Sequence, residues 1–272
     1  MTMAEASGYS RIIEGIFMAR YTPGAQEVPF QRSDIVQMAK ELGIDLPKNL
    51  GDVVYSFRYR KVLPEAVRVK APKGKLWVIR QVGRSRYCFS AVQMAKIAPS
   101  RTLAETKVPD ATPGLIAMYA LGDEQALLAK LRYNRLLDVF TGVACYSLQS
   151  HLRTAVAGVG QVETDEIYVG LNRAGVHFVF PVQAKGKRDS ISVVQVQQDI
   201  ALCKAKFPHL ICCPIAAQFM ADSKMALFAL EETLKGVRVV RERHYLLVPP
   251  DRLSKEELEA YRQREADGAQ DP

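Results

Sequence analysis

The segment Gln161–Asp189, QVETDEIYVGLNRAGVHFVFPVQAKGKRD, limits what this chain can fold into more than any other stretch. It reads as a two-stranded hairpin. Strand side chains alternate between faces, so Val162, Thr164 and Glu166 are expected on one face of the first strand, with Glu163, Asp165 and Ile167 on the other. In the second strand Phe178, Phe180 and Val182 share one face, while Val179, Pro181, Gln183 and Lys185 share the opposite one. Asn172-Arg173-Ala174-Gly175 supplies the turn, since Asn and Gly tolerate positive φ. Folding about it sets Asp165 opposite Val182 and Gln183, and a carboxylate, an amide oxygen and an ammonium group converge at one end. On the outside of an edge hairpin these polar groups would be ordinary cross-strand pairs. Apolar residues on both faces of the second strand argue instead for burial on both sides, where Asp and Lys are rare.

Such a convergence suits metal-assisted phosphodiester chemistry. A hard cation such as Mg²⁺ takes oxygen ligands and keeps several waters, so a carboxylate, an amide carbonyl and a backbone carbonyl can hold it against substrate phosphates. Asp165 is the expected anionic ligand, Gln183 the neutral side-chain ligand and the Ala184 carbonyl a third. Lys185 is placed to orient the attacking water and offset charge in the transition state. Glu163 is positioned to bind a second ion or accept the water's proton.

Asp165 followed, after a hairpin, by Gln183-Ala184-Lys185 resembles the PD-(D/E)xK nuclease superfamily, and the Gln-x-Lys form is similar to that of Mrr-type restriction nucleases. The next residues fit that family's order of metal-bearing strand, helix and further core strand. Lys185-Gly186-Lys187-Arg188 is a basic loop; Asp189 or Ser190 would cap a helix with apolar Val193, Val196, Ile200, Cys203 and Phe207; and Leu210–Phe219 is a buried-strand run. Two departures stand out: no Pro precedes Asp165, and Gln183 replaces the usual acid, a loss of charge that Glu163 could make up. The resemblance implies a mixed α/β fold with a restriction-endonuclease-like sheet flanked by helices. It also implies hydrolysis of DNA with Mg²⁺ (Mn²⁺ substituting), catalytic roles for Asp165, Gln183, Lys185 and Glu163, and a restriction or defence setting.

Positive charge is concentrated upstream. The chain carries a net charge of +8, and ten basic residues against one acid, Glu65, lie between Arg58 and Arg86. That is the electrostatic footprint of phosphate-backbone binding. Apolar stripes predict helices over Ser10–Tyr21, from Ser33 to Gly43, and from Asn49 through Phe57 with Tyr55, Ser56, Arg58 and Tyr59 outward; a hairpin of Leu76–Gln81 and Arg86–Phe89 follows. Three helices and a basic hairpin resemble a winged-helix domain, in which Tyr55, Arg58, Arg60, Lys61, Lys73, Lys75, Arg84 and Arg86 would contact DNA, joined by Lys187 and Arg188 of the nuclease loop.

The expected organisation is therefore a winged-helix-like α+β domain over 1–95, a Pro-containing linker over 96–118, a nuclease domain over 119–255 and a charged tail over 256–272 that fades from a marginal helix into disorder. Further helices are expected after Leu121-Gly122-Asp123 over Glu124–Phe140, over Tyr146–Thr154 and over Asp222–Leu234, with a strand at Val237–Val248. No run approaches the ~18 apolar residues of a membrane span. The N-terminus lacks the order of a signal peptide, and five cysteines without CxxC spacing indicate neither zinc nor a disulfide framework. A cytoplasmic protein acting on double-stranded DNA as a homodimer is expected. Two other classes stay open: a DNA-binding regulator whose nuclease fold has lost activity, and an RNA-directed nuclease using Tyr55 and Tyr59 for base stacking.

Overall fold

The structure, a computed structural model, describes residues 8–59, 61–93, 97–119, 124–187, 189, 191–233 and 236–267. Arg60, Arg188, Ser190 and the expected helix start at Leu121-Gly122-Asp123 lie outside them. Separate apolar cores divide the chain into two units. The first contains α1 (Gly8–Arg20), β1 (Glu27–Gln31), α2 (Arg32–Leu42), α3 (Gly51–Tyr59), α4 (Glu65–Arg68), β2 (Lys75–Gly83) and β3 (Arg86–Gln93). Its three strands form an antiparallel sheet of order β1-β3-β2. Ile12, Ile13, Ile16 and Phe17 of α1, Val53, Val54 and Phe57 of α3, and Trp77 and Phe89 of the sheet fill the core.

The second unit begins with β4 (Glu105–Pro109), α5 (Gly114–Tyr119), α6 (Glu124–Tyr133) and α7 (Leu136–Thr141). It continues through β5 (Ala144–Val156), β6 (Gly160–Leu171), β7 (His177–Lys185), α8 (Val193–Lys206), β8 (Ile211–Cys212), β9 (Ile215–Phe219), β10 (Lys224–Thr233), β11 (Gly236–Val248) and α9 (Lys255–Asp267). An eight-stranded mixed sheet of order β4-β11-β10-β9-β7-β6-β5 runs through it, with β8 beside β7. Leu127, Leu128 and Leu131 of α6 and Leu136, Leu137 and Phe140 of α7 cover one face. Val193, Val196, Ile200, Leu202 and Cys203 of α8 cover the other. The result is a mixed sheet flanked by helices, as expected. Among the described residues no helix is long and apolar enough to cross a membrane.

Several local expectations are corrected. The stretch 96–118 is more than a linker: β4 within it pairs in parallel with β11 as an edge of the sheet, and Ile97 joins the second core. The expected helix over Glu124–Phe140 is two helices, broken where Arg135 takes φ 50°. Tyr146–Thr154 is not helical but part of β5, an edge strand with few buried side chains and therefore little periodicity to read. Asp222–Leu234 likewise contains β10, whose Met225 and Leu227 face one core and Ala226 and Phe228 the other. A strand buried on both faces shows an unbroken apolar run that mimics a buried helix. The run Leu210–Phe219 is split at Pro214, and α8 is capped by Ser192, whose hydroxyl accepts from the Gln195 N–H at 3.4 Å. In the tail, α9 docks on β4: the Lys107 N–H donates to the Tyr261 hydroxyl at 2.9 Å, and Lys107 pairs with Glu257 at 2.6 Å.

Candidate active site

The paired strands β6 and β7 diverge at the end the sequence singles out. Their last ladder pair is Glu166↔Val182. Beyond it Asp165 fills the opening, with its Oδ2 accepting the Ala184 N–H at 2.8 Å. The N–H and C=O of one strand residue point the same way, so the Ala184 carbonyl also faces this edge. On the other side of β6 the ladder with β5 passes from Ser150↔Glu166 to Leu152↔Thr164, skipping Asp165 and His151, which takes φ 49°. Positive φ is uncommon for a residue with a Cβ and accumulates at functional sites.

This break corrects the face assignment of the first strand. Val162, Thr164 and Ile167 face α8, whereas Glu166 and Tyr168 face α6, because the alternation slips at Asp165. Glu166, fully buried, accepts from Arg132 at 2.8 Å and from the Ser147 hydroxyl. It stays outside the site.

Lys185 ends β7. Its ammonium donates to Glu124 Oε1 at 3.2 Å, and the loop beyond it is pinned by the Gln218 amide, which donates to the Gly186 and Asp189 carbonyls at 3.3 and 2.7 Å. Glu124 opens α6, where a carboxylate also suits the positive end of the helix. Gln183 is buried and turned to α8: its Nε2 donates to Asp199 Oδ2 at 2.9 Å, while its Oε1 has no hydrogen-bond partner. Glu163 is exposed opposite Arg153. His151 lies 2.9 Å from the Gln125 amide.

The electrostatics of this cluster are one-sided. Burial pushes the Asp165 carboxyl above its ordinary value, with Lys185, the Ala184 N–H and His151 opposing and Glu163 adding. Burial also raises Glu124, opposed by Lys185 and reinforced by Asp165 and Asp189. Asp199, buried beneath both strands, is raised by burial to about 7. A divalent cation among these oxygens would reverse each of those shifts. Among the described residues no three His, Cys, Asp or Glu side chains are grouped to hold an ion on their own. The expected donors are Asp165, beside the backbone of Ala184, and Gln183, whose unpartnered oxygen is buried and does not line the cleft; as chemical types they are ones that hard cations accept.

The site opens into a cleft of about 1240 Å³. One wall carries Glu124, His151, Glu163, Asp165 and Lys185; the other belongs to the first unit and carries Tyr55, Arg58, Lys61, Arg68 and Gln81. Arg80 donates to Gln197 of α8 at 2.7 Å, joining the units. Gly160 has φ 92°, and a Cβ there would collide with the Gln81 side chain, so glycine permits the close approach. Of the expected DNA contacts, Tyr55, Arg58 and Lys61 line this cleft. Exposed Lys73, Arg84 and Arg86 do not line it; nor does half-buried Lys75, whose ammonium donates to Gln26 at 2.7 Å. Lys187 is exposed on the loop after Lys185.

Sequence reasoning missed Glu124 and Asp199. An acid in the first turn of a helix is ordinary, so Glu124 gave no signal. Asp199 did give one, as a carboxylate beside Ile200 on the apolar face of α8. Asn134 and Asp138 hold local backbone: Asn134 Oδ1 accepts the Ala111 N–H at 2.7 Å, and Asp138 accepts from the Cys145 N–H at 3.0 Å. Comparisons with family models, with curated proteins and with solved structures found no match to this chain.

Proposed function

We propose that the protein is a metal-dependent endonuclease that hydrolyses phosphodiester bonds of DNA, in a restriction or defence setting. One observation carries the reading: Asp165, where β6 parts from β7, and Lys185, at the end of β7, line a cleft whose facing wall bears Arg58, Lys61 and Arg68. A purely structural sheet gains little by burying the Lys185 ammonium near a half-buried Asp165. The element order around them, three antiparallel strands, a helix and a parallel strand, agrees with the superfamily that the Asp…Gln-x-Lys pattern resembles. The order α1-β1-α2-α3-α4-β2-β3 of the first unit, in which α4 is a single turn, is compatible with a winged-helix-like reader of duplex DNA.

In this reading Asp165, Gln183 Oε1 and the Ala184 carbonyl would hold Mg²⁺ or Mn²⁺, which would supply Lewis acidity at the phosphate and lower the pKa of water. The Lys185 ammonium, held by Glu124, orients the attacking water and offsets charge growing on the phosphate. Glu163, exposed at the mouth, accepts the proton, and the Arg58 wall holds the flanking phosphates. Each chain has one such centre, so a cut through both strands calls for a homodimer.

The cleft also favours a second reading. A helix that reads the major groove needs an open face, yet Tyr55 and Arg58 of α3 look into the space before Asp165 and Lys185. A single strand, of DNA or RNA, fits between a stacking Tyr55 and a cationic wall. Incubating the protein with Mg²⁺ and matched duplex DNA, single-stranded DNA and RNA separates the readings. Preferred cutting of duplex supports the first, preferred cutting of single strands the second, and metal-dependent binding without cutting of any substrate overturns both.

A further inference from the structure

Asp199 sits on the buried face of α8 with 1 % of its surface exposed, and both of its oxygens are engaged. Oδ1 accepts from the Thr164 hydroxyl, and Oδ2 accepts from Gln183 Nε2 at 2.9 Å. Thr164 precedes Asp165, and Gln183 stands two residues before Lys185. The β6–β7 ladder has already ended at Glu166↔Val182, so backbone pairing no longer sets the spacing here. One carboxylate from the helix bridges the neighbours of both site residues instead.

The same contact fixes which way the Gln183 amide points. Once ionised, Asp199 only accepts, so in that state the amide must offer it the NH₂ end. The amide oxygen is then turned away from Asp199, and it is buried with no hydrogen-bond donor. Leaving a buried acceptor unpartnered is unfavourable. Rotating the amide would avoid nothing, because it would set oxygen against the carboxylate. An amide oxygen held in this way, on the residue before Ala184, whose N–H meets Asp165, is suited to a hard cation, and groups that orient a ligand contribute roughly 10–100-fold to metal affinity.

We infer that Asp199 is a positioning residue for a divalent-cation site: it holds the Gln183 amide with its oxygen free, and it supplies from behind that amide the negative charge an acid at position 183 would carry. The inference rests on the cation reading of the site, and its test separates the two.

The test uses the full chain without nucleic acid, titrated with Mn²⁺ and followed by the resonance of free Mn²⁺ and by calorimetry. In Asp199→Asn the new amide can donate to Gln183 Oε1 and occupy the oxygen, so Mn²⁺ affinity should fall about 10–100-fold while the metal-free melting temperature holds or rises. Adding Gln183→Glu to Asp199→Asn should restore affinity, because a carboxylate binds whichever way it rotates. A merely structural Asp199 would lose stability on substitution, and the second change would rescue nothing. Wild-type affinity in Asp199→Asn overturns the inference while leaving the cation site standing; absence of Mn²⁺ binding by the wild type overturns the cation reading and this inference with it. Should Asp199→Asn not fold, the wild type suffices. Mg²⁺ should shift the side-chain amide resonances of Gln183 together with the Ala184 N–H, and a shift of Ala184 alone overturns the inference.

Discussion

Replacing Asp199 by Asn should change how stability depends on pH in a way that can be worked out beforehand. In the folded chain the Asp199 carboxyl is raised by burial to about 7, against an ordinary value of 3.8. Between those values the folded state keeps a proton that the unfolded state has lost, so stability falls as pH rises. The contribution is fully present below about pH 4, the unfolded value, and is gone once pH has passed the folded value near 7. At 1.36 kcal/mol for each pH unit of difference, the loss across that window is about 4 kcal/mol. Asp165 and Glu124 are raised too and slope the same way, so the wild type alone cannot isolate the effect. The difference between wild type and Asp199→Asn can. Urea unfolding in EDTA at steps from pH 4.5 to 8, read by far-ultraviolet circular dichroism, should show the variant gaining several kcal/mol on the wild type as pH rises. The single tryptophan, Trp77, lies in the core of the first unit, so its fluorescence reports a transition that should not move. Stability curves that stay parallel across the window would refute the reasoning.

Three further outcomes follow from other parts of the molecule. Arg132→Ala should cost about 3 kcal/mol, since it takes the guanidinium away from the fully buried Glu166; Arg132→Ala combined with Glu166→Leu should recover most of that in denaturant titrations. Deleting residues 1–95 removes the Arg58 wall of the cleft, so binding should weaken and the slope of log affinity against log salt should shrink; an unchanged slope would exclude the first unit as a phosphate binder. Sedimentation with and without duplex DNA should show a dimer on DNA, and a strict monomer that still makes concerted double-strand breaks would contradict the pairing.

Much of the site was legible because it depends on short-range rules. The Asn172–Gly175 turn returns β7 to Asp165, although Gln183 and Lys185, expected on one face, are engaged by α8 and α6 respectively. What was missed depends on contacts between distant residues. Glu124 reaches Lys185 across 61 positions of sequence, and Asp199 is tied to Thr164 across 35, separations at which periodicity carries no information. The misread elements have a shared cause. β10 lies between two cores and shows no alternation, while β5 lies at an edge with both faces largely exposed and shows little. A two-residue period is visible only where one face is buried and the other is not. The strand in 105–109 was hidden for a related reason: it is five residues long and borrows its place from β11 and α9 instead of its own apolar content.

The central claim is that Asp165 and Lys185 together hydrolyse a phosphodiester bond. It is tested most directly by supercoiled plasmid incubated with Mg²⁺ or Mn²⁺ and the wild type, Asp165→Asn or Lys185→Met, with folding of each checked by circular dichroism. The account predicts nicked or linear product from the wild type, none in EDTA, and a loss of at least about 100-fold in each variant, since each removes a charge that acts in the transition state. Undiminished metal-dependent cutting by both folded variants would contradict it.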